Sequence, residues 1–182
     1  HNSGLFYSGG GTGWFISQLN TQSVKALAVN GNFLLAGCGN SEGVFISTNN
    51  GTNWISSSLN YKSVYSLSLN GNMAFAGTGS GVYISTDSGY TWTQTSLNNE
   101  LVYSLAVSGN TIFAGTELHG VYVSEDNGIS WTQRNEGLGN ITIHSLRVVN
   151  NFVFAGASVN GVYRRQIGNI VGVTPISNQS PG

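Results

Sequence analysis

One eight-residue spelling recurs along the chain at a nearly constant interval. It reads STNNGTNW at 47–54, STDSGYTW at 85–92 and SEDNGISW at 124–131, and a shorter form, SGGGTGW, stands at 8–14. Each copy contains one of the four tryptophans, which are spaced by 40, 38 and 39 residues. A fixed period of roughly 20 to 50 residues indicates a repeat architecture, in which each unit buries its apolar face against its neighbours.

Each repeat contains four short segments of β-strand character. In the second repeat the first segment reads SVYSLSL, the second NMAFAGT and the third GVYIS, and the fourth begins at the tryptophan. The pairs NG, SG and NN separate first from second segments, and such pairs accept the positive φ of hairpin turns. No stretch has apolar residues at i, i+3, i+4 and i+7 over three turns, so almost no helix is expected.

Four antiparallel strands in about 40 residues is the size of one β-propeller blade. The chain is therefore predicted to be all-β, a β-propeller of four blades within residues 1–167. Small Ala-Gly pairs end each second segment, and we expect them to let neighbouring blades approach closely. The predicted boundaries are a half-blade at 4–20, blades at 21–60, 61–98, 99–139 and 140–167, and a C-terminal tail or linker at 168–182.

The repeated box resembles the Asp-box, or BNR repeat, whose pattern is Ser-x-Asp-x-Gly-x-Thr-Trp. That family includes sialidases, sortilin-like receptors, some glycoside hydrolases and photosystem assembly factors, and the resemblance implies a turn between the third and fourth strands of a blade. Residues 85–92 match every fixed position. The matching residues are Ser47, Asn49, Gly51 and Trp54; Ser85, Asp87, Gly89, Thr91 and Trp92; Ser124, Asp126, Gly128, Ser130 and Trp131; and Trp14 in the short copy.

We interpret the box as a structural turn, because its residue types satisfy a tight turn locally. An Asp at the start of a turn accepts hydrogen bonds from later backbone amides, Gly supplies positive φ, and Trp packs the turn onto the sheet. Asn49 replaces the acid in one copy, which a catalytic carboxylate would not tolerate. Calcium is also unexpected, since one carboxylate per turn is too little charge for a tight site.

Composition and side-chain spacing argue against most other chemistry. Only 7% of residues are charged, with six Lys+Arg against seven Asp+Glu, so nucleic acid is an unexpected partner. The four arginines do not form the triad of sialidases, because Arg164 and Arg165 are adjacent, and the acids are too scattered for a hydrolytic pair. The histidines have no metal-ligand spacing, and Cys38 is expected to be a packed thiol. We therefore expect no catalytic residue, no metal and no cofactor.

The two ends of the chain carry related strands. GLFYS at 4–8 has the pattern of a third strand, as does GVYRRQ at 161–166, so the sequence contains five third strands but only four first and second strands. We expect the last blade to be completed by an N-terminal strand from the same or a neighbouring chain. The predicted assembly residues are Gly4, Leu5, Phe6, Tyr7, Ser8, Gly161, Val162 and Tyr163.

These observations predict a non-catalytic, extracellular β-propeller that serves as a structural or protein-interaction module and assembles through its terminal strands. Its partner would be itself, as an oligomer or fibre, or another surface protein. Two alternatives stay open: a lectin-like propeller that binds neutral glycans, and a fragment of a larger glycoside hydrolase. The candidate glycan-binding residues are Tyr61, Tyr65, Tyr90 and Tyr103.

The expected location is the cell exterior or cell surface, and it depends on composition and on the tail. Low charge with much Asn, Ser, Thr and Gly favours a secreted protein. The tail QIGNIVGVTPISNQSPG resembles the linker before the C-terminal sorting domains of some secreted bacterial proteins. No apolar run approaches the roughly 18 residues that span a bilayer, so membrane insertion is not expected. The sequence begins HNSG, with neither an initiator Met nor the pattern of a signal peptide, so a processed, trimmed or partial product is expected.

Overall fold

The computed structural model describes residues 4–8, 13–159 and 161–167, and the backbone of 174–175. These residues form β-strands joined by turns, with no helix among them and hence none suited to crossing a bilayer. The strands are β1 Phe6–Tyr7, β2 Phe15–Ile16, β3 Val24–Asn30, β4 Phe33–Cys38, β5 Gly43–Ser47, β6 Ile55–Ser56, β7 Val64–Asn70, β8 Met73–Thr78, β9 Gly81–Ser85, β10 Thr93–Gln94, β11 Val102–Ser108, β12 Thr111–Thr116, β13 Val121–Ser124, β14 Thr132–Gln133, β15 Ile143–Val149, β16 Phe152–Ala157, β17 Val162–Gln166 and β18 Thr174–Pro175.

The strands form four antiparallel sheets of four strands, each in sequence order. The first sheet contains β3 to β6, the second β7 to β10, the third β11 to β14 and the fourth β15 to β18. A separate two-stranded sheet, here called the half-blade, contains β1 and β2 in the register Phe6↔Ile16 and Tyr7↔Phe15. The predicted all-β fold of four four-stranded blades is confirmed.

The fourth sheet takes its last strand from the tail rather than from an N-terminal strand, contrary to the prediction. β18 pairs with β17 in the register Tyr163↔Pro175 and Arg164↔Thr174. β17, which contains the predicted assembly residues Val162 and Tyr163, is therefore paired on both sides, with β16 and β18. β17 and β18 are close in the sequence, and closing a short loop costs little conformational entropy, which favours this pairing. The rest of the predicted tail at 168–182 lies outside the described residues.

The chain divides into two compact units, His1–Leu101 and Val102–Gly182. Each has a core between its own sheets, because the apolar residues that alternate along each strand meet those of the neighbouring sheet. The core of the first unit contains Leu35, Val44, Ile46, Leu59, Val64, Ala74, Ala76 and Tyr83. The core of the second contains Ala106, Phe113, Val121, Leu138, Ile143, Val153, Ala155 and Tyr163.

Two of the Ala-Gly pairs lie where neighbouring sheets of one unit approach each other closely. A Cβ on Gly37 would lie 2.6 Å from Val64 Cγ1, on the first strand of the next sheet. A Cβ on Gly115 would lie 2.7 Å from Ile143 Cγ2, in the corresponding place of the second unit. Both distances are shorter than the van der Waals contact distance of two non-bonded carbon atoms. The spacing of these neighbouring sheets therefore depends on glycine at these positions.

Candidate functional site

The repeated boxes connect the third and fourth strands of the first three sheets. In each of these turns two consecutive residues adopt positive φ, and the second of them is the glycine of the box. The pairs are Asn50 and Gly51 at 58° and 79°, Ser88 and Gly89 at 60° and 90°, and Asn127 and Gly128 at 59° and 90°. The left-handed region favours glycine, which explains why this residue occurs in every copy.

Side chains of the box accept hydrogen bonds from the backbone amides of the turn. In the second sheet the Ser85 hydroxyl donates to Asp87 Oδ1 at 2.7 Å and accepts from the Gly89 amide at 2.7 Å. The Thr91 amide donates to Asp87 Oδ1 at 2.8 Å, and the Thr91 hydroxyl donates to Asp87 Oδ2 at 2.6 Å. Both carboxylate oxygens are therefore occupied within the turn itself.

The third sheet repeats this network, and the first sheet has a reduced form of it. Ser130 donates to Asp126 from its amide at 2.9 Å and from its hydroxyl at 2.6 Å. In the first sheet, Asn49 Oδ1 accepts from the Ser47 hydroxyl at 3.0 Å and from the Asn53 amide at 2.9 Å. Asn53 has no hydroxyl group, so it cannot form the second side-chain bond that Thr91 and Ser130 form in the other boxes.

The tryptophans close the turns, and in the first unit their backbone amides also reach the preceding sheet or half-blade. Each indole N–H donates to the carbonyl of the box glycine, at 2.9 Å for Trp54, 2.7 Å for Trp92 and 3.1 Å for Trp131. The Trp92 amide also donates to Ser58 Oγ in the first sheet, at 3.0 Å. The Trp54 amide similarly donates to Gln18 Oε1 beside the half-blade, at 2.8 Å. Within the first unit the boxes therefore join each sheet to the preceding one.

These hydrogen bonds also determine the electrostatics of the carboxylates. The Thr91 hydroxyl, the Thr91 amide and the Ser85 hydroxyl lower the pKa of Asp87 from 3.8 to about 2. The Ser130 hydroxyl and amide, followed by the Ser124 hydroxyl, lower the pKa of Asp126 to about 2 in the same way. A carboxyl group with so low a pKa is a poor proton donor near neutral pH. Among the described residues, no three His, Cys, Asp or Glu side chains lie close enough to share a metal ion.

The depressed pKa values predict a loss of stability in acid. The pKa of Asp87 and Asp126 is about 2 in the folded chain, against about 3.9 for an unfolded Asp. The contribution of these groups is complete above about pH 4 and is lost as the pH falls from about 4 through about 2. Between pH 7 and pH 2, the Tm of the Asp87→Asn/Asp126→Asn variant should therefore decrease less than the Tm of the parent chain. Identical pH profiles for the two proteins would contradict this explanation.

The four tyrosines considered for glycan binding occupy two kinds of position. Tyr61 and Tyr90 are exposed, at the start of the second repeat and in its box. Tyr65 and Tyr103 are half-buried and lie at a bulge of the first strand that recurs in each sheet. The Tyr103 hydroxyl donates to Glu117 Oε1 at 3.0 Å, and its ring lies 5.4 Å from that of His144.

The half-blade reproduces the third and fourth strands of a complete blade. The Leu5 amide donates to the Leu19 carbonyl at 3.0 Å, as the Val44 amide donates to the Leu59 carbonyl at 2.9 Å in the first sheet. β1 pairs with β2 and with no other strand among the described residues. The predicted assembly residues Gly4 to Ser8 therefore lie on or beside a strand with one open edge.

Sequence reasoning missed a second part of this region, an uncovered face on the first sheet. Leu27 and Val29 of β3 are 48% and 60% exposed. The corresponding Leu67 and Leu69 of β7 are half-buried and pack against the core of the first unit. One sequence signal points to this difference in exposure. Residues 4–20 have the patterns of a third and a fourth strand, but not those of the first and second strands that would cover β3.

No protein-family model and no curated protein matches the chain. Its fold is similar to that of several solved structures. The computationally designed protein Ika4 matches with a TM-score of 0.68 and 16% identity, over 84% of this chain and 96% of that one. YCF48, solved bound to a D1 peptide, matches with a TM-score of 0.66 and 16% identity, over 91% of this chain and 57% of that one. The GH74 xyloglucanase from Xanthomonas campestris matches with a TM-score of 0.74 and 15% identity, over 96% of this chain and 34% of that one.

These similarities show the β-propeller fold. The chain spans nearly all of the designed protein but only about half of YCF48 and a third of the xyloglucanase. The fold is that of a β-propeller, and the polar side chains of its repeated boxes form hydrogen bonds within their own turns.

Proposed function

We propose that the chain is a non-catalytic, extracellular β-propeller module that works by binding protein, either a second copy of itself or another surface protein, through its terminal strands. The observation that carries this proposal is that β1, among the described residues, pairs only with β2, whereas the other sheets that the structure describes have four strands each. An open strand edge presents unpaired N–H and C=O groups, which readily pair with a strand from another molecule.

Two further observations support a binding role without catalysis. The carboxylates of the boxes accept hydrogen bonds on both oxygens and are held ionised, so they are occupied by their own turns. The half-blade also exposes a group of large apolar side chains, and surfaces of this kind occur at protein interaction sites. The exposed residues are Phe6, Tyr7, Trp14, Phe15 and Ile16.

We further propose that the repeated box is a true Asp-box, used as a structural turn. Its support is the match of residues 85–92 to the pattern and the hydrogen bonds that Asp87 accepts from Thr91. The extracellular assignment is supported by the low charge and by the resemblance of the tail to linkers of secreted bacterial proteins.

Self-association through β1 can be tested by light scattering coupled to size exclusion over a hundredfold range of concentration. We expect the mass of the full chain to rise toward twice the monomer mass, and we expect Phe6→Pro to remain monomeric. The Phe6 amide points away from β2, so proline removes an edge donor while sparing the pairing with β2. Phe6→Ala is the matched control, because it shortens the same side chain and retains the amide. A monomer at every concentration for all three proteins would refute self-association.

A further inference from the structure

We infer that the half-blade and the uncovered face of the first sheet together form a docking site for a two-stranded β-hairpin supplied by another polypeptide. This inference rests on the proposed protein-binding function and specifies the class of partner. The site has an edge that supplies hydrogen bonds, a face that supplies apolar contact, and an adjoining interface that is already packed.

The edge belongs to β1. The Leu5 amide donates to the Leu19 carbonyl at 3.0 Å, and the Leu5 carbonyl accepts from the Ser17 amide at 2.9 Å, so both groups point toward β2. Successive residues of a strand point their backbone groups to opposite sides, and the N–H and C=O of Phe6 therefore point away from β2. In the first sheet the corresponding residue, Phe45, pairs with Ala36 of the second strand.

The face belongs to β3. Leu27 and Val29, which project from the same side of that strand, are 48% and 60% exposed. In the second sheet the residues at these positions, Leu67 and Leu69, pack against the core that contains Leu35. The same sequence pattern is therefore covered in the second sheet and uncovered in the first.

The open edge and the uncovered face continue an interface that already exists. Leu19 is buried together with Ala36 and Trp54 of the first sheet, and Leu5 packs against this cluster. The outer half of a blade-to-blade interface is thus in place between the half-blade and the first sheet. Its inner half would extend from these residues to Leu27 and Val29, and no strand of the described part of the chain covers that half.

The repeat determines what fits this space. In each complete sheet a strand of seven residues and a strand of six residues precede the third strand. The occupant is therefore a hairpin two strands wide, with apolar residues alternating along its first strand. In the first sheet, Gly37 of the second strand faces Val64 of the next sheet with no room for a Cβ. The second strand of the hairpin therefore needs a glycine at the corresponding position, where it passes β3. Among the described residues, all four hairpins of this type already belong to their own sheets.

The probe for this site is a synthetic peptide with the sequence SVYSLSLNGNMAFAGT, which is residues 63–78 of the chain. Isothermal titration into the full chain should give saturable binding with one peptide per chain. The Leu27→Ser/Val29→Ser variant should weaken binding at least about tenfold, since it removes two apolar contacts. Ile129→Ser is the matched control, because Ile129 is a similarly exposed aliphatic residue in the box of the third sheet, and its affinity should equal that of the parent chain. A peptide with valine in place of the glycine of its FAGT segment should not bind.

A fusion provides a second measurement that does not depend on the solubility of the peptide. Placing the same sixteen residues and a short linker directly before Gly4 should raise Tm, and Leu27→Ser/Val29→Ser should abolish that rise. Equal affinity for the parent and the Leu27/Val29 variant, or a fusion with unchanged Tm, would overturn the inference. If neither test succeeds while the chain still self-associates through β1, the hairpin site is refuted and the proposed function stands. If the peptide binds and the chain stays monomeric, the hairpin site stands and self-association is refuted.

Discussion

Replacing Leu35 by alanine should lower the free energy of unfolding by about 2 to 5 kcal/mol. Leu35 is completely buried in the core between the first and second sheets. It also supports the box of the second sheet, since a Cβ on Gly89 would lie 2.8 Å from Leu35 Cδ2. The substitution therefore leaves a cavity that borders two sheets and one turn, and closely packed surroundings can fill it only in part.

Urea denaturation followed by tryptophan fluorescence measures this effect, because Trp92 packs against the same core. The control is Leu27→Ala, which makes the same chemical change on an exposed residue of the first sheet. We expect it to cost less than about 1 kcal/mol, since most of its apolar surface remains in water in the folded state. Equal losses for the two variants would contradict the assignment of Leu35 to the core.

Gly81→Ala should destabilise the protein by about 2 to 5 kcal/mol, combining backbone strain with a steric clash. Gly81 has φ of 95° at the start of β9, and a Cβ there would lie only 2.0 Å from the Leu97 carbonyl oxygen. That oxygen accepts a hydrogen bond from the Val82 amide at 2.8 Å, so it cannot move away without breaking the sheet.

Gly71→Ala separates the two causes. Gly71 also has positive φ, at 60°, yet a Cβ there would meet nothing within 4 Å. We expect the free energy of unfolding of this variant to fall only by the cost of the left-handed conformation, about 1 to 2 kcal/mol. Differential scanning calorimetry of both variants should show the larger decrease in Tm for Gly81→Ala, and equal decreases would show that the close contact with Leu97 costs nothing.

Much of the fold could be predicted from the sequence because the determining information is local and repeated. Hairpin pairs such as Asn70-Gly71, alternating strands and one tryptophan per unit predict four sheets of four strands. The chemistry of the box likewise predicts that later amides of the turn donate to its Asp, as Thr91 does to Asp87. The bond from the Trp92 amide to Ser58 was not predictable, since it joins two repeats and Ser58 has no distinguishing pattern.

Two features depend on contacts that no local pattern encodes. The fourth sheet has β18 as its last strand, although the sequence before β18 contains no box: Arg165 stands where the other sheets have the serine of the box. Leu27 and Leu67 have the same place in their repeats, yet only Leu27 is exposed. The difference arises from what covers each residue, which is a property of the neighbouring sheet and not of the strand that contains it.

The single cysteine provides an internal reporter of how often the first sheet opens. Cys38 ends β4, its side chain is completely buried, and burial, with a smaller effect of the Glu42 carboxylate, raises its pKa to about 12. A thiol-specific reagent can therefore react only during excursions that separate β4 from its partner strands. The rate of labelling, compared with that of a free thiol, gives the free energy of this opening without denaturant. Occupation of the docking site beside the same sheet should slow the labelling.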